Sequence, residues 1–229
     1  MKAMILAAGR GERMRPLTDQ IPKALVPVAG EALIHRHLRA LSAAGFNELV
    51  INHAWLGDQL VDSIGDGAAW DVHVQWSAEA QALETAGGIA KALPMLGKEP
   101  FLVLNADIVC DFPLSKALGW ALQHMMATAD ALPLLACCVL VNNPDHHPEG
   151  DFELDGQMLT FSGIGIYQPE LFAAISSNQS AKLGPLLKAA KAQGRWMGFH
   201  HQGYWCDVGT PERLAQAERW LLQPKTDDA

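Results

Sequence analysis

Apolar runs and helical patterns alternate along the chain from its first residues. Residues 3–8 form a continuous apolar run that ends at Gly9, as expected for a strand buried on both faces. Residues 31–44 then place apolar side chains at helical spacing, and Gly45 follows where a helix cap belongs. Strand patterns that alternate with helical ones are typical of parallel strands joined by crossover helices. The pattern therefore predicts an α/β fold with a mostly parallel sheet flanked by helices.

The remaining elements follow from the same two periodicities. Apolar runs predict strands at residues 49–52, 72–76, 101–104, 134–141, 152–154 and 159–167. Helical spacing predicts helices at residues 56–64, 86–96, 118–126, 183–192 and 211–222. Asp155-Gly156 is a typical hairpin turn between two of these strands. No linker or repeat divides the chain, so we expect one domain over residues 1–224 and a frayed tail at 225–229.

Composition narrows the classes of partner. The net charge of -8 is unsuited to a protein that grips the nucleic-acid backbone, which requires clustered Lys and Arg. No apolar stretch approaches the ~20 residues of a membrane span, and the start of the chain lacks the features of a signal peptide. We therefore expect a cytoplasmic protein with neither a nucleic-acid nor a membrane partner. The four cysteines have no C-x-x-C spacing, and we expect them to be reduced thiols.

The strongest chemical signal follows the first predicted strand. Residues 6–18 read L-A-A-G-R-G-E-R-M-R-P-L-T, and Pro22-Lys23 comes soon after. Gly9 and Gly11 allow a sharp turn that brings backbone N–H groups close to phosphate oxygens. Four cations accompany them, namely Arg10, Arg13, Arg15 and Lys23. The loop therefore predicts an anion-binding cradle, although it is neither a Walker A loop nor a complete dinucleotide fingerprint.

A second polar segment is expected at the same edge of the sheet. Ligands of open α/β sheets bind outside the carboxyl ends of the strands. Gly9 follows the first predicted strand, and Asn105 to Asp107 follow the strand predicted at residues 101–104. We therefore expect the glycine-rich loop and Asp107 to lie on one functional edge.

These segments resemble the sugar-phosphate nucleotidyltransferases, whose pattern is L-A-A-G-x-G-x-R-[LM]-x-P-L-T followed by P-K. Residues 83–87, L-E-T-A-G, stand where that family has L-G-T-A-G, and residues 105–107, N-A-D, stand where it has N-G-D. Glu84 and Ala106 each replace a common glycine. The resemblance covers nearly the whole chain. It implies a Rossmann-like, GT-A-like nucleotidyltransferase fold with a small β-rich acceptor-binding portion, a nucleotide-binding half at about 1–110 and a sugar-phosphate-binding half at about 111–224.

The resemblance also implies a reaction and its residues. A sugar 1-phosphate would attack the α-phosphorus of a nucleoside triphosphate and release pyrophosphate, with Arg13, Lys23 and Asp107 as catalytic residues. Asp107 and Asp207 would bind Mg²⁺, a hard ion that proteins usually hold through one or two carboxylates. The implied nucleotide-binding residues are Leu6, Ala7, Ala8, Gly9, Gly11, Glu12, Arg13, Lys23, Asn52, Gln81, Leu83, Thr85 and Gly88. The implied sugar-phosphate-binding residues are Asn105, Asn143, Asp151, Gly163 and Lys182.

Four shorter segments bear on the choice of substrate. Residues 52–56, 143–152, 161–167 and 182–187 look like those of the N-acetylmuramate 1-phosphate uridylyltransferases of cell-wall recycling. This resemblance favours UTP with N-acetylmuramate 1-phosphate, and Lys182 is a candidate partner for the lactyl carboxylate of a muramate. Mannose- or heptose-1-phosphate guanylyl transfer is the alternative, and a non-catalytic nucleotide-sugar sensor is an alternative of another class. The sequence leaves the oligomeric state and the number of Mg²⁺ ions open, with a monomer favoured.

Overall fold

The computed structural model describes residues 1–125 and 132–224, without the side chains of residues 121 and 122. The last residue of the helix predicted at 118–126 and the tail predicted at 225–229 lie outside the described residues. The strands are β1 (Ala3–Leu6), β2 (Pro27–Val28), β3 (Glu31–Ala32), β4 (Glu48–His53), β5 (His73–Ala78), β6 (Phe101–Asn105), β7 (Ile108–Cys110), β8 (Ala136–Val141), β9 (Phe152–Leu154), β10 (Gln157–Tyr167), β11 (Trp196–His200) and β12 (Trp205–Asp207). The helices are α1 (Leu33–Ala43), α2 (Gly57–Ile64), α3 (Glu84–Leu96), α4 (Ser115–His124), α5 (Leu183–Ala192) and α6 (Pro211–Leu221).

The main sheet has the strand order β11-β8-β10-β6-β1-β4-β5, with β9 paired to β10. Strand β1 lies between β4 and β6 and runs parallel to both. Strand β10 runs antiparallel to β6 and β8, whereas β11 runs parallel to β8. This part of the sheet therefore contains both parallel and antiparallel pairs. The predicted α/β class with a large, mostly parallel sheet flanked by helices is confirmed.

Both faces of the sheet are covered. Ala3 and Ile5 of β1 belong to the same buried cluster as Leu38 of α1, whereas Met4 belongs to a second buried cluster with Ile89 of α3. Successive side chains of a strand point to opposite faces, so β1 contributes to both cores. This two-sided burial explains why the strand is a continuous apolar run with no alternation.

Several element boundaries differ from the prediction. Strand β1 ends at Leu6, two residues early, because the amide of Ala7 bonds the side chain of Asn52 at 2.8 Å. The predicted helix at 31–44 begins only at Leu33, because Glu31–Ala32 pairs with Pro27–Val28 as a small hairpin.

Strands β7, β11 and β12 were not predicted. Strands β7 and β12 are three residues each and pair with each other, and β11 is half-buried throughout, so each apolar stretch is too short or too exposed to match the patterns used for prediction. The Asp155-Gly156 turn is confirmed, with φ of 50° and 82° joining β9 to β10. All four cysteines lie in the described residues and are free. Among the described helices, none has the length and apolarity that crossing a membrane requires.

His37 is buried on the inner face of α1. Its burial lowers the pKa from 6.5 to about 4, although the nearby Asp107 carboxylate opposes the shift. A neutral buried histidine binds fewer protons than the unfolded chain does between these two pH values. Its contribution to stability is therefore complete above pH 6.5 and is lost as the pH falls toward 4.

We expect this histidine to remove about 2 kcal/mol from the free energy of unfolding when the pH falls from 7 to 5. Urea unfolding at both pH values measures the loss. The His37→Gln variant cannot titrate in this range, so its loss should be smaller by that amount. An equal loss in the two proteins would contradict the assignment of a buried neutral histidine.

Candidate active site

A cleft of about 390 Å³ opens where β1, β4 and β6 end. Its walls come from the loop after β1, from the segment between β5 and α3, and from the end of β6. The predicted glycine-rich loop and Asp107 therefore do meet at one edge of the sheet. The sequence-predicted residues in the walls are Leu6, Ala7, Ala8, Gly9, Lys23, Asn52, Leu83, Thr85, Asn105 and Asp107.

Other predicted nucleotide-binding residues lie around the cleft but do not line it. Gly11 has φ of 69°, and a Cβ there would lie 3.1 Å from Cβ of Lys23, so this glycine lets the loop fold tightly under Lys23. A Cβ at Gly88 would lie 2.7 Å from Oε1 of Glu79, so the lack of a side chain at Gly88 makes room for the Glu79 carboxylate behind the cleft wall. Glu12, Arg13 and Gln81 are exposed outside the cleft walls.

The four cations of the loop have different environments. Arg10 donates to the carbonyl of Thr18 and to Asp19, both at 2.7 Å, and its guanidinium stacks over Trp55. Arg15 also pairs with Asp19, at 3.0 Å. These two arginines therefore hold the loop in shape, whereas Lys23 is the one of the four that lines the cleft.

Lys23 forms an ion pair with Asp107 inside the cleft. The Nζ of Lys23 donates to Oδ2 of Asp107, and 12% of the lysine side chain and 31% of the aspartate side chain are exposed. Asp107 is held in place by its neighbour, because the amide of Ala106 donates to the carbonyl of Leu6 at 3.0 Å. The cation and the carboxylate both lie where an anionic ligand can displace their contact.

Asp207 lies on the strand that pairs with β7. The amide of Val208 donates to the carbonyl of Asp107 at 2.7 Å, so the backbones of the two aspartates are adjacent. The carboxylate of Asp207 lies 3.1 Å from Nε2 of His146 and 3.2 Å from Nη2 of Arg213. Its Oδ1 is nevertheless buried without a well-aligned hydrogen bond. Asp207 lines a second cavity, of about 480 Å³, with His146 and Arg213.

Two arginines converge beside Asp207. A Cβ on Gly209 would lie 2.0 Å from Nη2 of Arg213 and 3.1 Å from Nη2 of Arg13, so both guanidinium groups approach the bare Gly209. The Nε and Nη2 atoms of Arg213 are buried without a well-aligned hydrogen bond, although Nη2 is ion-paired with Asp207. Buried donors of this kind carry a desolvation penalty unless an acceptor reaches them. A phosphate group is an acceptor that two guanidinium groups can share.

A buried polar network joins the first two walls of the cleft. The Oδ1 of Asn52 accepts from the amide of Ala7 at 2.8 Å, and its Nδ2 donates to Oε1 of Glu79 at 2.7 Å. The other oxygen of Glu79 accepts from the amide of Leu83 at 2.9 Å. Asn52 and Glu79 are 3% and 6% exposed, so the bonds form away from competing water. The network holds the loop after β1 at a set distance from residues 79–83.

A third cavity, of about 330 Å³, shares Glu84, Thr85 and Asn105 with the cleft. Asp151 and Lys182 line it, so three of the predicted sugar-phosphate-binding residues, Asn105 included, are brought together.

Two further residues predicted to bind the sugar phosphate have other environments. A Cβ at Gly163 would lie 2.6 Å from Nδ2 of Asn105, so this glycine makes room for the asparagine. Asn143 lies outside the three cavities, because its side chain bonds Pro148, Met158 and Thr160 within the hairpin region.

The sequence model of the family described as nucleotidyl transferase matches residues 2–149. The chain is also 51% identical to the N-acetylmuramate alpha-1-phosphate uridylyltransferase of Neisseria meningitidis, in an alignment that covers 95% of this chain and 97% of that protein. The chain belongs to the nucleotidyl transferase family. As a member of it, the protein is an enzyme of the nucleotidyltransferase class.

Other relatives extend this picture. An N-acetylmuramate alpha-1-phosphate uridylyltransferase of Caulobacter vibrioides is 35% identical, over 96% of this chain and 97% of its own. The mannose-1-phosphate guanyltransferase of Aspergillus fumigatus is 30% identical, and the alignment covers 99% of this chain but 69% of that protein. Among solved structures, HddC of Yersinia pseudotuberculosis, in complex with GMP-PN, is 19% identical with a TM-score of 0.75, over 96% of this chain and 99% of that one. This structural likeness supports the Rossmann-like nucleotidyltransferase fold.

Several residues in the walls of this nucleotidyl transferase were not predicted. Glu79 follows β5 directly, so the rule that ligands bind at the carboxyl ends of strands pointed to it. Arg213 lies three residues after Thr210, the residue that caps α6, and one helical turn is enough to bring it back toward Asp207. His146 approaches Asp207 only through the folding of the β8 to β9 connection, and no local pattern indicates that contact.

Glu84 and Ala106 both depart from the glycines of the family pattern, and Glu84 has the clearer structural consequence. It is the first residue of α3 and has φ of 60°, a left-handed conformation that favours the glycine of the family pattern. Its side chain lines both the cleft and the third cavity. A strained backbone that carries a carboxylate between two cavities is typical of a functional position.

The substitutions Glu84→Gly and Glu84→Ala both remove this carboxylate, but only glycine adopts the left-handed conformation without strain. We expect the Glu84→Gly variant to be more stable than the Glu84→Ala variant, with a free energy of unfolding about 1 kcal/mol higher. A left-handed residue with a Cβ costs roughly 1–2 kcal/mol, and the greater freedom of glycine in the unfolded chain offsets part of that difference. Urea unfolding of the two variants measures it, and equal stabilities would mean that residue 84 is not strained.

Proposed function

We propose that the enzyme transfers a uridylyl group from UTP to N-acetylmuramate 1-phosphate, giving UDP-N-acetylmuramate and pyrophosphate, as part of peptidoglycan recycling. The observation that carries this proposal is the 51% identity to the Neisseria meningitidis uridylyltransferase over nearly the full length of both chains. The guanyltransferase of Aspergillus fumigatus is more distant, and the chain spans 69% of its length. Guanylyl transfer to mannose or heptose 1-phosphate is therefore the second candidate.

We also infer one domain over residues 1–224, with the nucleotide bound by the half at about 1–110 and the sugar phosphate by the half at about 111–224. The three walls of the main cleft come from the first half, and Asp151 and Lys182 of the third cavity come from the second. We place the enzyme in the cytoplasm and expect it to act as a monomer.

In this proposal, the loop after β1 binds the triphosphate. Gly9 presents its backbone to the cleft without a side chain, and the Asn52 network holds Ala7 beside it. Residues 82–85 form the opposite wall, and together with the adjoining Gln81 they bind the nucleoside. Arg13 and Arg213, which converge at Gly209, bind the phosphates that leave as pyrophosphate.

Lys23 is the central cation of the mechanism. The Asp107 carboxylate neutralises it in the free protein, and an incoming phosphate oxygen can take over that contact. An oxygen of the sugar 1-phosphate forms a bond to the α-phosphorus while the bond between that phosphorus and the oxygen bridging to the β-phosphate breaks. The phosphate monoester has a second pKa of ~6, so it is already largely ionised and needs no general base. Lys23 stabilises the charge that develops in this transfer.

Enzymes of this family generally use a divalent metal ion. We propose that Asp107 and Asp207 hold Mg²⁺, because hard carboxylate oxygens on adjacent backbones suit that ion. The buried Oδ1 of Asp207 lacks a well-aligned hydrogen bond and has His146 3.1 Å away, so a cation could serve as its partner in place of that contact. When bound, Mg²⁺ would supply positive charge that offsets the phosphates.

The acceptor sugar is assigned to the third cavity. The cavity adjoins the cleft and shares Thr85 and Asn105 with it, so we expect a sugar in it to direct its phosphate toward Lys23. Lys182 is an exposed cation in this cavity and is positioned to pair with the lactyl carboxylate of a muramate.

Pyrophosphate release with UTP or GTP, tested against N-acetylmuramate, N-acetylglucosamine, glucose, mannose and heptose 1-phosphates, examines the proposed substrates directly. We expect release to be fastest with UTP and the muramate, because the lactyl carboxylate gains a contact that the other sugars lack. Preference for GTP with mannose or heptose phosphate would establish the second candidate. The absence of release with every pair would favour a nucleotide-sugar sensor.

The Asp107→Asn substitution tests the site. We expect a loss of at least about a hundredfold in kcat, because the change removes a charged ligand at the reacting centre and the partner of Lys23. The matched control is Asp62→Asn, at an exposed carboxylate on α2, which should keep its rate. Thermal unfolding of both variants checks that each is folded, and a normal rate in folded Asp107→Asn would refute the assignment.

A further inference from the structure

Three metal-ligating side chains meet outside the three cavities. Cys110 ends β7, Asp111 follows it, and His201 directly follows β11. The sulfur of Cys110, a carboxylate oxygen of Asp111 and a ring nitrogen of His201 all lie within 4.8 Å of one another. Neither the resemblance to other proteins nor the proposed reaction accounts for this cluster.

The backbone around the cluster holds its members in place. The amide of His201 donates to the carbonyl of Leu140 at 2.8 Å, and the amide of Asp111 donates to the carbonyl of Tyr204 at 3.2 Å. The Nε2 of His201 lies 2.6 Å from Oδ1 of Asp111. The fold therefore assembles the cluster from two places, the β7–β12 ribbon and the end of β11 in the main sheet, before any ligand binds.

Two further features suit a bound cation. The amide of Phe112 donates to the sulfur of Cys110 at 3.4 Å, and hydrogen bonds to a ligating sulfur are a normal part of metal–thiolate sites. A Cβ at Gly203 would lie 2.4 Å from Oδ1 of Asp111 and 2.6 Å from Cε1 of His201. The glycine therefore leaves open the space beside both ligands.

An ion pair between Asp111 and His201 would not by itself explain the arrangement. The His201 ring already packs edge-on against Phe112, with centroids 5.5 Å apart, so it does not need the carboxylate to fix its orientation. An ion pair also gives no reason for a partly buried thiol at the same point. A cation that binds all three groups accounts for the cysteine as well.

We propose that Cys110, Asp111 and His201 bind a divalent cation of the Zn²⁺ class, with solvent completing its coordination. Thiolate and imidazole donors select Zn²⁺ or Co²⁺ and disfavour Mg²⁺, which prefers oxygen ligands. The thiolate and the carboxylate together balance the charge of the dication, and the thiol proton passes to solvent on binding. The site is thus chemically distinct from the one proposed at Asp107 and Asp207.

Cys110 of the new site lies on the same two-stranded ribbon as Asp207, and Asp107 directly precedes that ribbon. In the β7–β12 ribbon, Cys110 pairs with Trp205 and Ile108 pairs with Asp207. A cation at the Cys110 end would therefore tie the ribbon to the end of β11 and stabilise the folded protein.

The test is a titration with Co²⁺ of the full-length protein, in excess Mg²⁺ and with a reductant that does not bind metals. We expect one equivalent to bind with a thiolate-to-cobalt charge-transfer band that Zn²⁺ abolishes. Cys110→Ser should remove the band, and His201→Gln should weaken Co²⁺ binding by at least about tenfold. Circular dichroism checks that each variant is folded.

Two controls make the result specific. His200→Gln changes the neighbouring histidine, which bonds Asn142 instead of the cluster, and should keep the band. Asp107→Asn removes a ligand of the proposed Mg²⁺ site and should keep it as well. The proposal is overturned if wild-type protein shows no band, if the band survives Cys110→Ser, if His201→Gln binds normally, or if either control loses the band.

Discussion

The parallel pairing of β1 with both β4 and β6 is the constraint on which the site depends. Leu6 is opposite Asn52 on one side and opposite Asn105 on the other, so the three strands end at the same level. The chain leaves the sheet at that level in three places, and the resulting loops form the cleft. Burial of β1 on both faces makes this register costly to shift, because a slip by one residue would exchange its two apolar faces.

Buried polar contacts between the segments that leave the strand ends fix the width of the cleft. Asn52 and Glu79 use three hydrogen bonds to connect the loop after β1 with the segment before α3. Each group is deeply buried, so the loss of one partner would leave another unsatisfied, and the network resists partial opening. Rigidity of this kind suits a transfer reaction whose catalysis consists of positioning and electrostatic stabilisation.

The charges near the cleft are divided between structure and binding. Asp19 engages Arg10 and Arg15, so those cations shape the loop, while Lys23 and the Arg13–Arg213 pair face the positions proposed for phosphate. Both guanidinium groups approach Gly209, where Asp207 offsets the charge of Arg213, and a phosphate could be shared by the two groups. An acidic protein can therefore bind a triphosphate strongly, because the local arrangement of charge matters more than the net charge.

The sequence alone was enough to predict the α/β class, the glycine-rich loop and the meeting of that loop with Asp107, because two-sided burial and tight turns leave local patterns. Most helices and strands were located within a few residues for the same reason. Only the tertiary structure decided which cations face the cleft, because Arg10 and Lys23 look equivalent in the sequence and differ in their partners. Only the tertiary structure also showed three other features. These are the β7–β12 ribbon, the approach of Arg213 and His146 to Asp207, and the cluster of Cys110 with His201. These contacts join residues far apart in the chain, and no periodicity within one segment can encode a pairing between two.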